Sequence, residues 1–292
     1  MKEITILSGK GGTGKTSITA AFVSLAKNAV FCDCDVDAAD LHLLLKPETR
    51  QSYTYTGGST ALIDQEKCSG CGICLQNCRF EAITKDENDD YSVNPYQCEG
   101  CRLCERLCPE KAIITEKSQN NHWFISDTRF GTFIHARMGP GEENSGKLVA
   151  RLRKKAREIA VEENLDFIIN DGPPGIGCPV ISTLTGTDIV LMVVEPSKSG
   201  FHDAKRLLSL LKSFDVKVYA IINKLDLNYP LSMEIEKYLK QNSVLMFPGI
   251  PFDNSFTEAM MESKTITEYR QDSPVSVTLS QIWEEINSTF SQ

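Results

Sequence analysis

Eight of the eleven cysteines form two runs with the same spacing, and this repeat constrains the fold more than any other feature of the chain. Each run has the form C-x2-C-x2-C-x3-C. The repeat extends beyond the cysteines, because DQEKCSGCGICLQNCRFEAI (64–83) aligns with NPYQCEGCRLCERLCPEKAI (94–113) after a shift of thirty residues. Soft thiolates at such short intervals can wrap a cluster of iron and sulfide. The two runs are Cys68, Cys71, Cys74 and Cys78, then Cys98, Cys101, Cys104 and Cys108.

The rest of the composition favours metal ligation over disulfides. The N-terminal MKEITILSG is typical of a first β-strand and not of a signal peptide, so we expect a cytoplasmic protein with reduced cysteines. No stretch approaches the roughly 20 apolar residues that a membrane span needs. The formal net charge of -8 argues against broad binding to nucleic acid or anionic membranes. We therefore expect neither nucleic acid nor membrane as a partner.

Outside the repeat, apolar strands alternate with amphipathic helices. EITILS (3–8) and AVFCDCD (29–35) are predicted strands on either side of a helical segment at 15–27. The alternation stops from about residue 50 to 120 and then resumes. The later segments are helices at 148–163, 203–213, 231–241 and about 275–290, strands at 166–171, 188–196 and 217–224, and an apolar run at 244–252.

This order predicts a doubly wound α/β fold with a mostly parallel sheet. A small α+β cysteine-rich domain interrupts it. We expect the larger, discontinuous domain to comprise residues 1–61 and 117–292, and the inserted domain residues 62–116.

The inserted domain resembles the bacterial two-[4Fe–4S] ferredoxin. In such ferredoxins the fourth cysteine of each run serves the other cluster. Arg79 stands where a proline usually follows the fourth cysteine, which leaves the ligands intact. A pair of zinc sites is the alternative, although zinc motifs usually offer paired C-x2-C units. The resemblance implies one cluster on Cys68, Cys71, Cys74 and Cys108, and a second on Cys98, Cys101, Cys104 and Cys78.

The segment GKGGTGKT (9–16) fits the phosphate-binding pattern G-x-x-x-x-G-K-[ST] between a strand and a helix. Its glycines let backbone N–H groups face the phosphates, and the helix adds its positive dipole end. Lys15 would neutralise phosphate charge, and the Thr16 hydroxyl would ligate Mg²⁺. The predicted nucleotide-binding residues here are Gly9, Lys10, Gly11, Gly12, Thr13, Gly14, Lys15, Thr16 and Ser17.

With its additional Lys10, KGGTGKT resembles the deviant Walker A ATPases, which include MinD, ParA, the nitrogenase iron protein and the Mrp-type cluster carriers. In that family the first lysine reaches the partner's phosphates across a nucleotide-sandwiched dimer. The resemblance implies an ATP-dependent homodimer in which Lys10 and Lys15 are catalytic. It covers about residues 1–50 and 125–270, and includes PGEENSGKLV (140–149) and EPSKSGFHDAKR (195–206).

The same resemblance implies roles for residues that follow the strands. Asp35 matches the acid that positions the attacking water, and Asp37 is the second choice because the spacing permits another register. Asp171 resembles the acid that holds the Mg²⁺ shell, and Gly175 the switch II glycine. The residues that resemble base contacts are Asn223 in IINK and Asp253 in IPFD.

A MinD/Mrp-like ATPase with an inserted ferredoxin domain resembles a bacterial and archaeal family associated with metal-cluster handling. We therefore expect ATP hydrolysis coupled to electron transfer or cluster transfer, with an unidentified redox or cluster-acceptor protein as partner. One alternative is a spatial organiser of the MinD and ParA kind. It conflicts with the terminal helix, whose only charges are acidic, because membrane-surface helices need basic residues. The other is an electron carrier with a nucleotide-controlled docking switch.

Three cysteines remain outside the repeat. Cys32 and Cys34 share one face of a predicted strand and are expected to pack as small hydrophobes. Cys178 lies seven residues after Asp171 in DGPPGIGCPV, the offset of a cluster-ligating cysteine in the nitrogenase iron protein. The segment that resembles the site of that protein's other cysteine, GEENSGKLV (141–149), has none. Three interpretations stay open for Cys178: packing, a reactive thiolate, or a two-thiolate site at a dimer axis.

Overall fold

The computed structural model describes residues 1–117, 120–139 and 146–289, and it confirms an α/β fold with a large, mostly parallel sheet. The chain divides into two compact units. The first, here the nucleotide unit, is built on Met1–Ser52, Phe124–Ala136 and the chain from Gly146 onward. The second, the cysteine-rich unit, is built on Tyr53–Trp123. Residues 140–145 of the segment PGEENSGKLV lie outside the described residues.

The strands and helices are numbered separately in chain order. The strands are β1 (Lys2–Leu7), β2 (Ala29–Asp33), β3 (Glu48–Tyr55), β4 (Ser59–Ile63), β5 (Ile83–Lys85), β6 (Tyr91–Val93), β7 (Ile113–Lys117), β8 (Asn121–Thr128), β9 (Gly131–Arg137), β10 (Phe167–Asp171), β11 (Ile189–Val194), β12 (Lys217–Ile222) and β13 (Leu245–Met246). The helices are α1 (Lys15–Leu25), α2 (Leu41–Leu45), α3 (Ile73–Asn77), α4 (Leu103–Leu107), α5 (Lys147–Glu162), α6 (Cys178–Leu184), α7 (Lys198–Leu211), α8 (Tyr229–Gln241), α9 (Ser255–Met261), α10 (Ile266–Tyr269) and α11 (Pro274–Thr289).

The large sheet has the strand order β13-β12-β11-β1-β10-β2-β9-β8-β3. β1 pairs in parallel with both β10 and β11, so the chain proceeds in opposite directions from this central strand. Such a switch point leaves a crevice at the carboxyl ends of the strands, where α/β proteins bind ligands. The loops after β1, β2 and β10 all open at this edge.

Both faces of the sheet are covered, which explains why a central strand such as β11 is apolar throughout. All residues of β11 (IVLMVV) are buried, as expected for a parallel strand with helices on each side. One face packs against α1 and α11, with Phe22, Phe31 and Leu279 fully buried. The other face packs against α6, α7 and α8.

Strands β8 and β9 and helix α7 are among the elements that differ from the sequence prediction. The chain forms β8 and β9 at 121–137, where the sequence indicated no strands, and a two-residue turn at Arg129 and Phe130 joins them. Helix α7 begins at Lys198 and not at residue 203, because the Ser197 side chain accepts a hydrogen bond from Gly200 N–H at 3.0 Å and caps the helix start.

The cysteine-rich unit shows the sequence repeat as a structural repeat. β4 pairs antiparallel with β7, and β5 with β6. Equivalent backbone bonds recur in the two halves, since Asp64 N–H donates to Ala112 O and Asn94 N–H to Ala82 O, both at 2.7 Å. Each half carries one short helix, α3 or α4, inside its cysteine run.

Candidate functional site

The loop between β1 and α1 has the backbone conformation that its glycines permit. Gly12 and Gly14 have φ angles of 79° and 89°, in the left-handed region that favours glycine. A Cβ at position 14 would also lie 2.3 Å from Asn223 Nδ2. Two carbonyl oxygens of the loop accept hydrogen bonds from residues outside it. Asn223 Nδ2 donates to Thr13 O and Lys224 Nζ to Gly12 O, each at 2.8 Å.

Lys15 lies at the centre of a buried group of acids. Its Nζ is 3.0 Å from Asp171 Oδ1 and 3.3 Å from Asp35 Oδ2, and its side chain is 6% exposed. Burial lowers its pKa, but Asp171, Asp35 and Asp33 raise it more, so the net shift is upward. The ammonium is therefore charged and held by Asp171, the last residue of β10, and by Asp35, which lies two residues after the end of β2.

Asp171 also accepts two hydroxyl hydrogen bonds from α1. Thr16 Oγ1 donates to Asp171 Oδ2 and Thr19 Oγ1 to Asp171 Oδ1, both at 2.8 Å. The sequence analysis missed Thr19, although its position one helical turn after Lys15 could have indicated it. Thr16 and Asp171, the two predicted Mg²⁺ residues, are therefore in direct contact.

Two of these acids, Asp33 and Asp35, have raised pKa values because they are buried. Burial raises the pKa of Asp35 to about 6, against the opposing effect of Lys15. Burial and the neighbouring Asp171 raise the pKa of Asp33 well above its usual range. Asp33 Oδ2 has no hydrogen-bond partner among the described protein atoms. Three carboxyl groups with one lysine leave an excess of oxygen ligands, which fits a hard divalent cation such as Mg²⁺.

A cavity of about 1140 Å³, including its open mouth, lies over this cluster. Asn223, one of its lining residues, is buried, and its Oδ1 has no partner among the described protein atoms. That amide oxygen could accept a hydrogen bond from an amino group such as that of adenine. The size and the polar floor fit a nucleotide. The lining residues are Ser8, Gly11, Gly12, Thr13, Gly14, Lys15, Thr16, Ser17, Asp35, Ala38, Asp40, Pro174, Asn223, Lys224, Pro251, Phe252, Asp253, Phe256, Thr257 and Met260.

Some predicted residues lie beside this cavity and not in its wall. Asp37 is exposed on the loop after β2, whereas Asp40 of the same loop lines the cavity. A Cβ on Gly9 would lie 2.5 Å from the Asp203 backbone, so this glycine permits close packing against α7. Gly175 has a φ of 89°, and its N–H donates to Ser8 O at 3.0 Å.

Lys10 forms an ion pair within its own chain. Its Nζ contacts Glu195 Oε1 and donates to Ser199 Oγ at 3.2 Å. Glu195 also lies 3.5 Å from Lys224 Nζ. Partial burial raises the pKa of Glu195, but Lys10 and Ser197 lower it more, so the net shift is downward. The sequence analysis did not single out Glu195 as the partner of Lys10.

In the cysteine-rich unit, each predicted ligand set borders one cavity. Cys68, Cys71, Cys74 and Cys108 line the first cavity. The second is lined by Cys78, Cys98, Cys101 and Cys104, together with Cys74. The structure thus brings the fourth cysteine of each run beside the three of the other run. Four thiols around each cavity fit a [4Fe–4S] cluster.

Backbone N–H groups beside both cavities donate hydrogen bonds to cysteine sulfur atoms. Ala61 N–H donates to Cys98 Sγ at 3.5 Å and Ala112 N–H to Cys108 Sγ at 3.3 Å. Burial raises the pKa of the Cys74 and Cys104 thiols. These buried thiols become stable thiolates only when positive charge binds beside them.

The three remaining cysteines lie in the nucleotide unit. Cys32 and Cys34 are fully buried, and their Sγ atoms are 3.6 Å apart. Cys178 is exposed and is the first residue of α6, directly after the loop that follows Asp171.

Comparisons with known proteins match both parts of the chain. A family model described as a 4Fe-4S dicluster domain matches residues 61–115. An uncharacterized protein of Methanocaldococcus jannaschii is 33% identical over 97% of this chain and 96% of its own length. The septum site-determining protein MinD of Synechocystis is 27% identical over 85% of this chain and 73% of its own length.

Solved structures show the same fold. The cell division ATPase MinD of Pyrococcus furiosus is similar with a TM-score of 0.57 at 18% identity, covering 99% of both chains. A chain of the MinC:MinD cell division complex of Aquifex aeolicus gives a TM-score of 0.57 at 19% identity, covering 99% of this chain and 96% of its own. Within the described residues, no helix is long and apolar enough to span a bilayer.

Proposed function

The chain belongs to the MinD/ParA-like P-loop ATPases that carry a 4Fe-4S dicluster domain, and on this premise we propose that it is an ATPase whose cycle controls iron–sulfur clusters. It binds ATP with Mg²⁺ and hydrolyses it as a nucleotide-sandwiched homodimer. Hydrolysis is coupled to electron transfer or to the handling of iron–sulfur clusters.

The contact of Lys15 with Asp171 and Asp35 carries this proposal, because it pairs the lysine charge with carboxylates that phosphate oxygens can replace. When ATP enters, Lys15 exchanges these carboxylates for phosphate oxygens. Thr16 and Asp171 would hold Mg²⁺, which would supply positive charge against the phosphates. Asp35 orients the attacking water; Asp37, which is exposed on the same loop, is the alternative residue for that role.

The contacts of Lys10 support a dimer-linked step. In the isolated chain Lys10 is neutralised by Glu195 and Ser199. To reach a partner's nucleotide, Lys10 must break its ion pair with Glu195. The negative charge of the phosphates then replaces the Glu195 carboxylate. We therefore expect Lys10→Ala to abolish ATP-dependent dimerisation in light scattering while iron content is unchanged. A variant that still dimerises with ATP would remove Lys10 from this step.

The four-thiol cavities support two [4Fe–4S] clusters within residues 62–116, on the crossed ligand sets given above. Such clusters supply one-electron chemistry. The protein's own part is to hold eight thiolates, and to present Cys71 and Cys101, the two exposed members, toward a redox or cluster-acceptor protein.

Anaerobic EPR of the reduced holoprotein with ATP, with ADP and without nucleotide tests the coupling. We expect ATP to change the cluster spectrum, midpoint potential or reduction rate, and Lys15→Met to keep the clusters but lose the change. If spectrum, potential and rate are all insensitive to ATP, hydrolysis and clusters are uncoupled and the proposal fails.

A spatial organiser is the second candidate, favoured by the similarity to the septum site-determining protein MinD. The burial of α11 opposes it, because its Leu279, Trp283 and Ile286 pack in the core and leave little apolar face for a membrane. ATP-dependent binding to anionic vesicles or to DNA, without any cluster response, would favour this candidate.

A further inference from the structure

Arg129, at the turn between β8 and β9, joins three separate segments of the nucleotide unit. Its guanidinium donates to Leu44 O and Leu45 O, each at 2.9 Å. It also donates to both carboxylate oxygens of Glu268, at 2.6 and 2.7 Å, and to Ser263 O at 3.4 Å. A planar guanidinium is the side chain that can make such a fork of bonds at once.

The first of these segments anchors the loop that carries the catalytic acid. Leu44 and Leu45 end α2, where carbonyl groups lack helical partners and favour a cation. Helix α2 begins directly after the loop that contains Asp35 and Asp40, both of which line the nucleotide cavity. Arg129 therefore holds the last residues of the helix to which that loop is joined.

The other two segments belong to the opposite wall of the cavity. Ser263 follows α9, whose Phe256, Thr257 and Met260 line the cavity. Glu268 lies in α10 and accepts hydrogen bonds from Thr265 N–H at 2.9 Å, so it also caps this helix. Partial burial raises the pKa of Glu268, but Arg129 lowers it more, so the net shift is downward. The pair is thus a charged, bidentate bond.

One weaker contact joins the same two walls. Lys46, which follows α2, donates to Glu262 O at 3.4 Å. A single lysine bond at this distance is a poor substitute for a bidentate arginine pair. Among the described contacts, Arg129 is consequently the main polar connection between the wall that carries Asp35 and Asp40 and the wall formed by α9.

Arg129 also directly follows β8, the strand through which the chain returns from the cysteine-rich unit. β8 begins at Asn121, and its neighbour β3 is the strand through which the chain leaves. Arg50 of β3 and Asp127 of β8 form an ion pair at 3.4 Å. A shift of the turn at Arg129 would move a strand that continues covalently into the cysteine-rich unit.

We propose that Arg129 is a positioning residue that holds the two walls of the nucleotide cavity together and links their closure to the strands leading to the cluster-binding unit. This inference rests on the proposed function. When nucleotide binds, the two walls move toward each other. Because Arg129 is bonded to both walls, it moves with them and shifts the turn between β8 and β9.

The test compares Arg129→Gln with Arg50→Gln in the anaerobic holoprotein. Arg50 is the matched control, because it is a partly exposed arginine with one ion pair on the adjacent strand. We expect Arg129→Gln to weaken ATP binding, measured with a fluorescent ATP analogue, at least about fivefold, the lower end of usual coupling energies. It should also lose the ATP-induced change in cluster reduction rate while the nucleotide-free EPR spectrum stays the same. Arg50→Gln should retain both properties.

Two gentler variants keep the test decisive if Arg129→Gln does not fold. Arg129→Lys keeps the charge but loses the planar fork that bonds Glu268 bidentately, and Glu268→Gln keeps the shape without the charge, so both should give intermediate ATP affinity and cluster response. Wild-type affinity and response in both would overturn the inference. If the wild-type clusters ignore ATP, the proposed coupling fails, and ATP affinity alone then decides whether Arg129 positions the walls.

Discussion

The nucleotide unit and the cysteine-rich unit are stabilised by different means. The first buries all of β11 and packs the apolar face of helices such as α11 against the sheet. The buried centre of the second consists of Ala61, Cys74, Ile83, Tyr91 and Ile113, with five further cysteines packed around it. Leu62 and Ile114, which pair across β4 and β7, remain 44% and 52% exposed.

This difference teaches where each site obtains its geometry. Apolar packing sets the P-loop and its acids before any ligand binds. A domain as small as the cysteine-rich unit buries little apolar area, and such domains usually depend on metals or disulfides. Its cavities should therefore keep their shape only when clusters fill them.

Removal of iron should give the largest of the expected effects, because it tests directly whether the two units are stabilised by different means. Treating the oxidised protein with a strong iron chelator should make residues 62–116 at least about 100-fold more susceptible to protease, since cleavage follows the population of the open form. Fragments of the nucleotide unit should stay resistant, as shown by mass spectrometry. Equal susceptibility of both units, or resistance of both, would contradict the difference in their stabilisation.

Substitution of Lys15 should affect the activity of the nucleotide unit and leave the cysteine-rich unit unchanged. Lys15→Met removes the cation that meets the phosphates, so we expect ATP hydrolysis to fall about 100-fold or more, the loss typical of removing one preorganised charge-stabilising donor. Iron and sulfide content should equal that of the wild type. Loss of clusters in this variant would show that the two units do not assemble independently.

The pH dependence of stability should identify Asp35. Its pKa in the folded protein is about 6, above the usual 3.8. The folded state therefore binds a proton more readily than the unfolded state. This stabilisation is fully present below about pH 4 and is lost as the pH rises through about 6.

In Mg²⁺-free buffer, the free energy of unfolding of the nucleotide unit should fall from pH 5 to pH 7 by about 1–2 kcal/mol through this group, because one pKa unit is worth about 1.4 kcal/mol. Asp35→Asn should flatten that slope in urea titrations. An unchanged slope would assign the titration to another carboxyl group, with Asp33 the nearest alternative.

Cys178→Ser should produce the smallest change. It tests whether an exposed thiol of the nucleotide unit takes part in binding iron. If Cys178 only packs at the start of α6, then iron content, dimerisation and the ATP effect on the clusters all stay at wild-type values. A loss of iron in the ATP-bound dimer alone would instead support a two-thiolate site, and faster alkylation than that of a free thiol would support a reactive thiolate.

The fold was largely predictable from local patterns. Alternating apolar segments indicated the parallel sheet, and the sheet is confirmed, but the strands at 121–137 were missed. HWFISD and TFIHAR are rich in aromatic and β-branched residues, which could have revealed them. They adjoin the cysteine-rich segment, however, where the helix–strand alternation had stopped. Burial explains why they form strands, since alternate residues of β8 pack inward.

The candidate site was predictable where spacing encodes chemistry. The P-loop and the first three cysteines of each run are contiguous in sequence, so covalent geometry brings their groups together. The fourth cysteine of each run meets the other run only through the fold. By itself the sequence determined the phosphate loop, eight clustered thiols and the class of fold that carries them. The tertiary structure decided which distant groups meet, as with Thr16 and Asp171, Lys10 and Glu195, or Arg129 and Glu268. Such pairs lie more than 130 positions apart, and only the packing of strands and helices fixes their distance.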